Sequence, residues 1–216
     1  TKSFFEKKKN KPKYKKALAI RVILKSKSEL NINEQKISLM MRSNSHIVLY
    51  PINKKKELNV VCIIRSKKYD PNNIKSLIEK TVLKQNPNLK IIFNNEITFW
   101  PLYFTPKILR SSNKKVFYIG DAFNGFLPTL AQGAGQSIES AYEIFNLLKE
   151  DKLASANSYF EERYKRAKIV RKRSNLNFFV FHFSSMIMQK IRNIFLKFLV
   201  KRKTFIEGYL GKVYKD

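Results

Sequence analysis

Cysteine is nearly absent from this 216-residue sequence. Cys62 stands alone, so no disulfide can close within the chain and no cysteine cluster is available to zinc. It sits in the apolar run Val60-Val61-Cys62-Ile63-Ile64, the setting of a small buried hydrophobe rather than a nucleophile. Histidine is almost as scarce. His46 and His182 lie far apart and neither belongs to an HxxxH or HExxH pattern, which argues against a metal enzyme. This usage fits a reducing, cytoplasmic setting. Six glycines and seven prolines exclude collagen-like and Gly/Pro-rich low-complexity chains. No repeat of solenoid or propeller length is visible. The first residues, Thr1-Lys2-Ser3 and then Lys7-Lys8-Lys9, do not form a secretory signal, and the chain begins without Met, as the C-terminal part of something larger would.

Acidic residues are also few: 16 Asp and Glu against 44 Lys and Arg, a formal charge of +28. Such a field attracts phosphate polyanions, and nucleic-acid binding is one reading of it. A second reading is compositional. Lys, Asn, Ile, Phe and Tyr, all with AT-rich codons, make up 102 of the 216 residues, so a coding bias would give the same profile. With 44% hydrophobic and 13% aromatic residues, the chain has the material for a folded core, and a wholly disordered basic tail is excluded.

Long apolar runs are missing as well. Residues 175–200 are rich in Phe, Leu, Ile and Met, but His182, Gln189, Lys190, Arg192, Asn193 and Lys197 interrupt them. A bilayer span needs about 20 nearly uninterrupted apolar residues, so the segment reads as an amphipathic helix. It either packs on the body of the protein or makes peripheral contact with a membrane.

What is present divides into short elements. Residues 16–65 hold β-branched runs separated by polar clusters, an antiparallel meander with Pro51 at a strand end. Residues 72–82 read as a helix opened by Pro71, with Ile74, Leu77 and Ile78 on one face. Ile91-Ile92-Phe93 and Ile97-Thr98-Phe99-Trp100 read as extended pieces, the second stopped by Pro101. Residues 115–119 form an apolar strand leading to Gly120-Asp121-Ala122, a loop to Gly133, and a helix over 136–149. A basic helix over 154–173 follows.

The chemistry lies in the string Gly120 to Ala141, of the form GDAxxxxLPxLAQGAxQxIExA. A carboxylate at a strand end, Asp121, can accept hydrogen bonds from the hydroxyls of a polyol or ribose. Gln132-Gly133-Ala134-Gly135 opens a helix whose free N–H groups and dipole favour negative charge, and glycine lets the backbone approach a flat ring. Taken alone, a GxG after a loop is also an ordinary glycine turn, with Asp121 as a cap. The nucleotide fingerprint GxGxxG occurs nowhere in the chain.

The whole string resembles the second flavin-binding motif of FAD-dependent aromatic-ring monooxygenases, nearest the salicylate hydroxylase-like branch. Further resemblances lie in order on both sides: Tyr50-Pro51-Ile52, Leu58-Asn59-Val60-Val61, Trp100-Pro101-Leu102, the stretch Tyr159 to Arg166, His182, and Arg192-Asn193. The resemblance implies that Gly120 and Asp121 form the turn that holds the ribityl chain of FAD. It implies that Pro128, Gln132, Gly133, Ala134 and Gly135 line the isoalloxazine ring. It also implies NAD(P)H as reductant, O2 trapped as a flavin C4a-hydroperoxide, and hydroxylation of a small aromatic substrate, with no metal. Arg21, His46 and Asn124 are the candidates to face that substrate, and no catalytic base is readable. Asn124 stands where the family usually has His, and Glu139 is followed by Ser140 where an acidic pair is common.

The expected fold is α+β, within an α/β complete enzyme. Residues 1–110 would form a substrate-domain sheet with one helix, covering the active face of the flavin. Residues 111–155 would form the FAD-binding strand–loop–helix, and 156–216 the C-terminal helices. An N-terminal half carrying GxGxxG is expected upstream. The alternatives are a flavin-free relic or interaction module, and a basic nucleic-acid-binding protein.

Overall fold

A computed structural model describes residues 11–25, 36–55, 57–111, 113, 116–150 and 156–211. The chain divides into two compact units. One comprises Lys15–Leu102 and Phe179–Lys197, the other Thr1–Tyr14, Tyr103–Phe178 and Phe198–Asp216.

The first unit is built on a five-stranded sheet: β1 (Lys13–Leu24), β2 (Ser38–Arg42), β3 (Ser45–Ile52), β4 (Glu57–Arg65) and β5 (Ile97–Phe104), in the order β2-β3-β4-β1-β5. Only β2, β3 and β4 form a meander. β1 joins beyond β4, antiparallel, with Ile20 opposite Cys62 and Val22 opposite Val60. Period-two alternation decides the faces: Leu18, Ile20, Val22, Leu24, Ile47, Leu49, Leu58, Val60, Cys62 and Ile64 all enter one core. Each such side chain contributes about 1.5–3 kcal/mol on burial, which is why the long apolar β1 lies inside the sheet instead of at its edge.

Helical segments over residues 71–93 cover this core face with Ile74, Ile78, Val82, Leu89 and Ile92. Asp70 caps the entry, its Oδ1 accepting from Asn72 N (3.0 Å) and its Oδ2 from Asn73 Nδ2 (2.6 Å). After Pro71 come α1 (Ile74–Ile78) and a wider turn, Glu79–Leu83. Ile91-Ile92-Phe93 is helical, not extended. Pro87 starts a tight turn, Pro87–Leu89, that leads directly into α2 (Lys90–Phe93) and buries Ile92. Pro101 does not stop β5. The strand runs through it to Phe104, which an edge strand permits because its outer side needs no N–H.

The second unit is helical, with α3 (Gly120–Asn124), α4 (Gly133–Lys149), most of α5 (Ala156–Phe181) and, beyond α6, α7 (Lys203–Ile206); α6 (Met186–Leu199) belongs to the sheet unit up to Lys197. Its core gathers Leu109, Tyr118, Phe123 and Ala167, with Val116, Phe126 and Phe160 against them. Two expectations are corrected here. Residues 116–119 are not a strand, because no backbone among the described residues offers them a ladder. Lys115 lies outside the described residues. The basic helix does not end at Arg173 either. No Gly or Pro interrupts Ser174-Asn175-Leu176-Asn177, so α5 runs to Phe181 and the break falls at residues 182–185.

Candidate functional site

Extended backbone at Ile119 (φ −126°, ψ 163°) turns at Gly120, whose φ is +56°. A Cβ at Gly120 would stand 2.8 Å from Ser137 Oγ, which is itself held by donating to Gly133 O at 2.8 Å. Conformation and contact together require glycine there, and the close approach brings the start of α3 against the first turns of α4. Asp121 is exposed beside this contact. Asn124, at the end of α3, is fully buried. Its Oδ1 accepts from Arg171 Nη2 and from Thr105 Oγ1 (3.4 Å), while Thr105 Oγ1 accepts from Gly125 N at 2.9 Å. Arg171 Nη1 donates to Pro106 O at 2.9 Å, and burial draws the Arg171 pKa below its usual value. Asn124 is therefore a tie between segments, enclosed by its own unit.

The loop to α4 is fixed from α5. Thr129 Oγ1 donates to Ser174 O (2.7 Å), Asn177 Nδ2 donates to Thr129 O (3.3 Å), and Tyr209 OH donates to Asn177 Oδ1 (2.7 Å). Pro128 begins a tight turn, Ala131 takes a left-handed conformation (φ 53°), and Gln132, buried, precedes the helix. The first turn of α4 has no side-chain cap and no acidic residue. A Cβ at Gly133 would meet nothing within 4 Å, and one at Gly135 only Gln132 Oε1 at 3.9 Å. Ala134 and Pro128 are exposed. Asp121 and the uncapped first turn of α4, at Gly133, Ala134 and Gly135, thus both lie within the helical unit, the first exposed and the second sterically open. This suits a ligand with hydroxyls at one part and a negatively polarised ring edge at another. FAD fits that description. Behind this surface, Gly120, Phe123, Gln136, Ser140 and Arg163 enclose only about 10 Å³, no more than one water.

Arg163 is the residue that sequence reasoning passed over. It is 2% exposed, and its Nη1 meets Glu139 Oε2 at 2.9 Å and Glu143 Oε1 at 3.1 Å. Its Nη2 donates to Gln136 O (3.0 Å) and Gln136 Oε1 (2.9 Å). Half-burial raises the Glu143 pKa against the pull of Arg163. One guanidinium thus fixes the α4 turn that follows Gly135, and the signal in the sequence was a lone arginine inside Glu161-Glu162-Arg163-Tyr164.

Arg21 and His46 belong to the sheet unit, on the face opposite its core. They stand two strands and two residues apart, since His46 pairs with Ile63 and Ile63 with Ala19. Arg21 is exposed and its Nε donates to Asn59 Oδ1 at 2.6 Å. Asn59 is fully buried, and its Nδ2 has no hydrogen-bond partner among the described residues. His46 is 1% exposed, with Nδ1 3.1 Å from His182 Nε2 and the Phe181 ring edge-on at 5.2 Å. Burial, reinforced by His182, draws its pKa from 6.5 to about 3. Burial pushes the Cys62 thiol up. Among the described residues no group of three or more His, Cys, Asp or Glu is placed to hold a metal ion.

No family model matches the chain. Over 60 residues, 28% of this chain and 14% of the relative, it is 37% identical to the hispidin-3-hydroxylase of Neonothopanus nambi. Its fold is similar to that of Klebsiella pneumoniae HpxO, whose structure holds FAD and uric acid: TM-score 0.79 at 12% identity, over 98% of this chain and 56% of HpxO. It is also similar to a salicylate hydroxylase in a substrate complex, with TM-score 0.64 at 16% identity over 95% of this chain and 58% of the other. The chain thus spans a little over half the length of these solved structures. The α+β architecture of this chain is similar to the part of these two structures that it covers.

Proposed function

We propose that this chain is the C-terminal portion of an FAD-dependent monooxygenase that uses NAD(P)H and O2 to hydroxylate a small aromatic substrate. The observation that carries the reading is the pairing of an exposed carboxylate, Asp121, with the uncapped and sterically open first turn of α4, joined through the Gly120–Ser137 contact. In this reading, Asp121 accepts hydrogen bonds from the ribityl hydroxyls, and Pro128 and Gln132 shape the loop beside the ring. The N–H groups of Gly133, Ala134 and Gly135 hold the polarised pyrimidine edge. Bound flavin supplies the redox chemistry, and the chain binds and orients it.

Residues 111–155 serve as the flavin-binding segment, 1–110 as the substrate domain and 156–216 as supporting helices. Arg21, with the buried Asn59 amide beside it, is suited to an acidic or carbonyl group on the substrate. His46 and Asn124 support the two units from within. The exposed apolar face of α4, with Ile138, Tyr142, Phe145 and Leu148, is where an N-terminal nucleotide-binding half would pack. Buried Cys62 and the absence of a cysteine pair suit a cytoplasmic setting.

The test is expression of the reading frame together with its upstream sequence. Bound flavin absorbance and NAD(P)H oxidation stimulated by an aromatic acid are expected. A colourless, inactive product from an intact frame would overturn the reading.

A further inference from the structure

We infer that α6 is a docking face for the surface of an anionic lipid bilayer. Its packing is inverted. Arg192, 4% exposed, is turned inward, where its guanidinium donates to Val180 O (3.2 Å), Phe181 O (3.3 Å) and Met41 O (3.5 Å). On the opposite arc Ile187, Ile191, Ile194, Phe195 and Phe198, at helical spacing, are left in water, with Ile194 69% and Phe195 62% exposed. A helix that merely packed on the protein would present these faces the other way round. At 14 residues α6 is about 21 Å long. No helix among the described residues is long and apolar enough to cross a membrane, so the arc is suited to lying in an interface.

Charge selects the occupant. Lys190 and Lys197 flank the arc on one side, exposed, on stems long enough to lie along apolar surface while their ammonium groups reach outward. Arg202 stacks over the Phe198 ring at 4.1 Å, at the far end of the arc. Within α6 the charged residues are Lys190, Arg192 and Lys197, with no Asp or Glu. A second exposed apolar helix face, on α4, is set among Glu139, Glu143, Lys149 and Glu150. An apolar arc with lysines along one edge and no carboxylate in its helix matches acyl chains beneath phosphate and carboxylate headgroups, where each near-surface cation contributes about 1 kcal/mol.

The experiment is co-sedimentation of the full 216-residue chain with vesicles of phosphatidylcholine, alone or with phosphatidylserine at about three-tenths. Binding is expected to the mixed vesicles and not to phosphatidylcholine alone. Ile194→Asp/Phe195→Asp and Lys190→Glu/Lys197→Glu should each lower the partition coefficient about tenfold or more. Lys80→Glu/Lys84→Glu, the same charge change elsewhere in the sheet unit, should lower it no more than about threefold. All six positions are exposed, so the variants should keep the wild-type circular dichroism spectrum. Absence of binding, equal binding to both vesicles, or binding indifferent to the α6 substitutions would overturn the inference. So would a dimer in sedimentation velocity that the Ile194/Phe195 variant abolishes, because the arc would then belong to a second copy of the chain.

Discussion

His46 makes the stability of the sheet unit sensitive to acid in a way that can be calculated. In the folded chain the imidazole is buried against His182 and Phe181 and takes up its proton only near pH 3. In the unfolded chain it does so near 6.5. Its folded pKa is thus below its unfolded one, so its contribution is fully present above about pH 6.5 and is lost as pH falls toward 3. The slope is about 1.4 kcal/mol per pH unit, and between pH 7 and 4.5 the loss amounts to about 2.5 kcal/mol. Met41, on β2, is the cross-strand partner of His46 on β3, and its carbonyl accepts from the Arg192 guanidinium. His46→Asn places a neutral polar atom near the position of Nδ1 and does not titrate. Urea unfolding of wild type and variant at both pH values should show their stability difference shifting by about 2.5 kcal/mol against wild type on acidification. Parallel stability–pH curves for the two proteins would refute the reasoning, since all carboxylates are common to both.

Three further outcomes follow from the geometry around Gly120 and α4. Gly120→Ala should cost about 2–3 kcal/mol in urea unfolding, part from its positive φ and part from the 2.8 Å approach to Ser137 Oγ; Ser137→Gly in the same chain should restore only the steric part. Arg163→Lys keeps the charge and loses the fork onto Gln136, so a loss of about 2–4 kcal/mol is expected by the same measurement, and an unchanged midpoint would contradict the role given to Arg163. Asp121→Asn, at an exposed position, should change stability by less than about 0.5 kcal/mol. In the reading frame expressed with its upstream sequence, the proposed site predicts FAD binding weakened about tenfold or more by the same change, in a fluorescence titration.

The contrast between what the sequence discloses and what it hides has a physical basis in range. Gly120 and the Gln132-Gly133-Ala134-Gly135 start of α4 were legible because a left-handed turn and a helix beginning are decided within a few residues. The core strands were legible because alternation at Leu18, Ile20 and Val22 is likewise local. Ile91-Ile92-Phe93 misled because three β-branched or aromatic residues suit either state, and the turn at Pro87 decided between them. Residues 116–119 have the composition of a strand, but a strand exists only when another backbone lies beside it.

Buried cations were hidden for the same reason, in stronger form. Arg163 is paid for by Gln136, Glu139 and Glu143, and Arg192 by carbonyls at positions 41, 180 and 181. No local window contains those partners. A periodicity argument assigns the apolar arc of α6 to the interior by default. That default fails because the carbonyls near the break at residues 182–185 need a donor, and only the arginine side of the helix supplies one. With the helix turned over, the guanidinium would reach water and the carbonyls of Met41, Val180 and Phe181 would lose its donors.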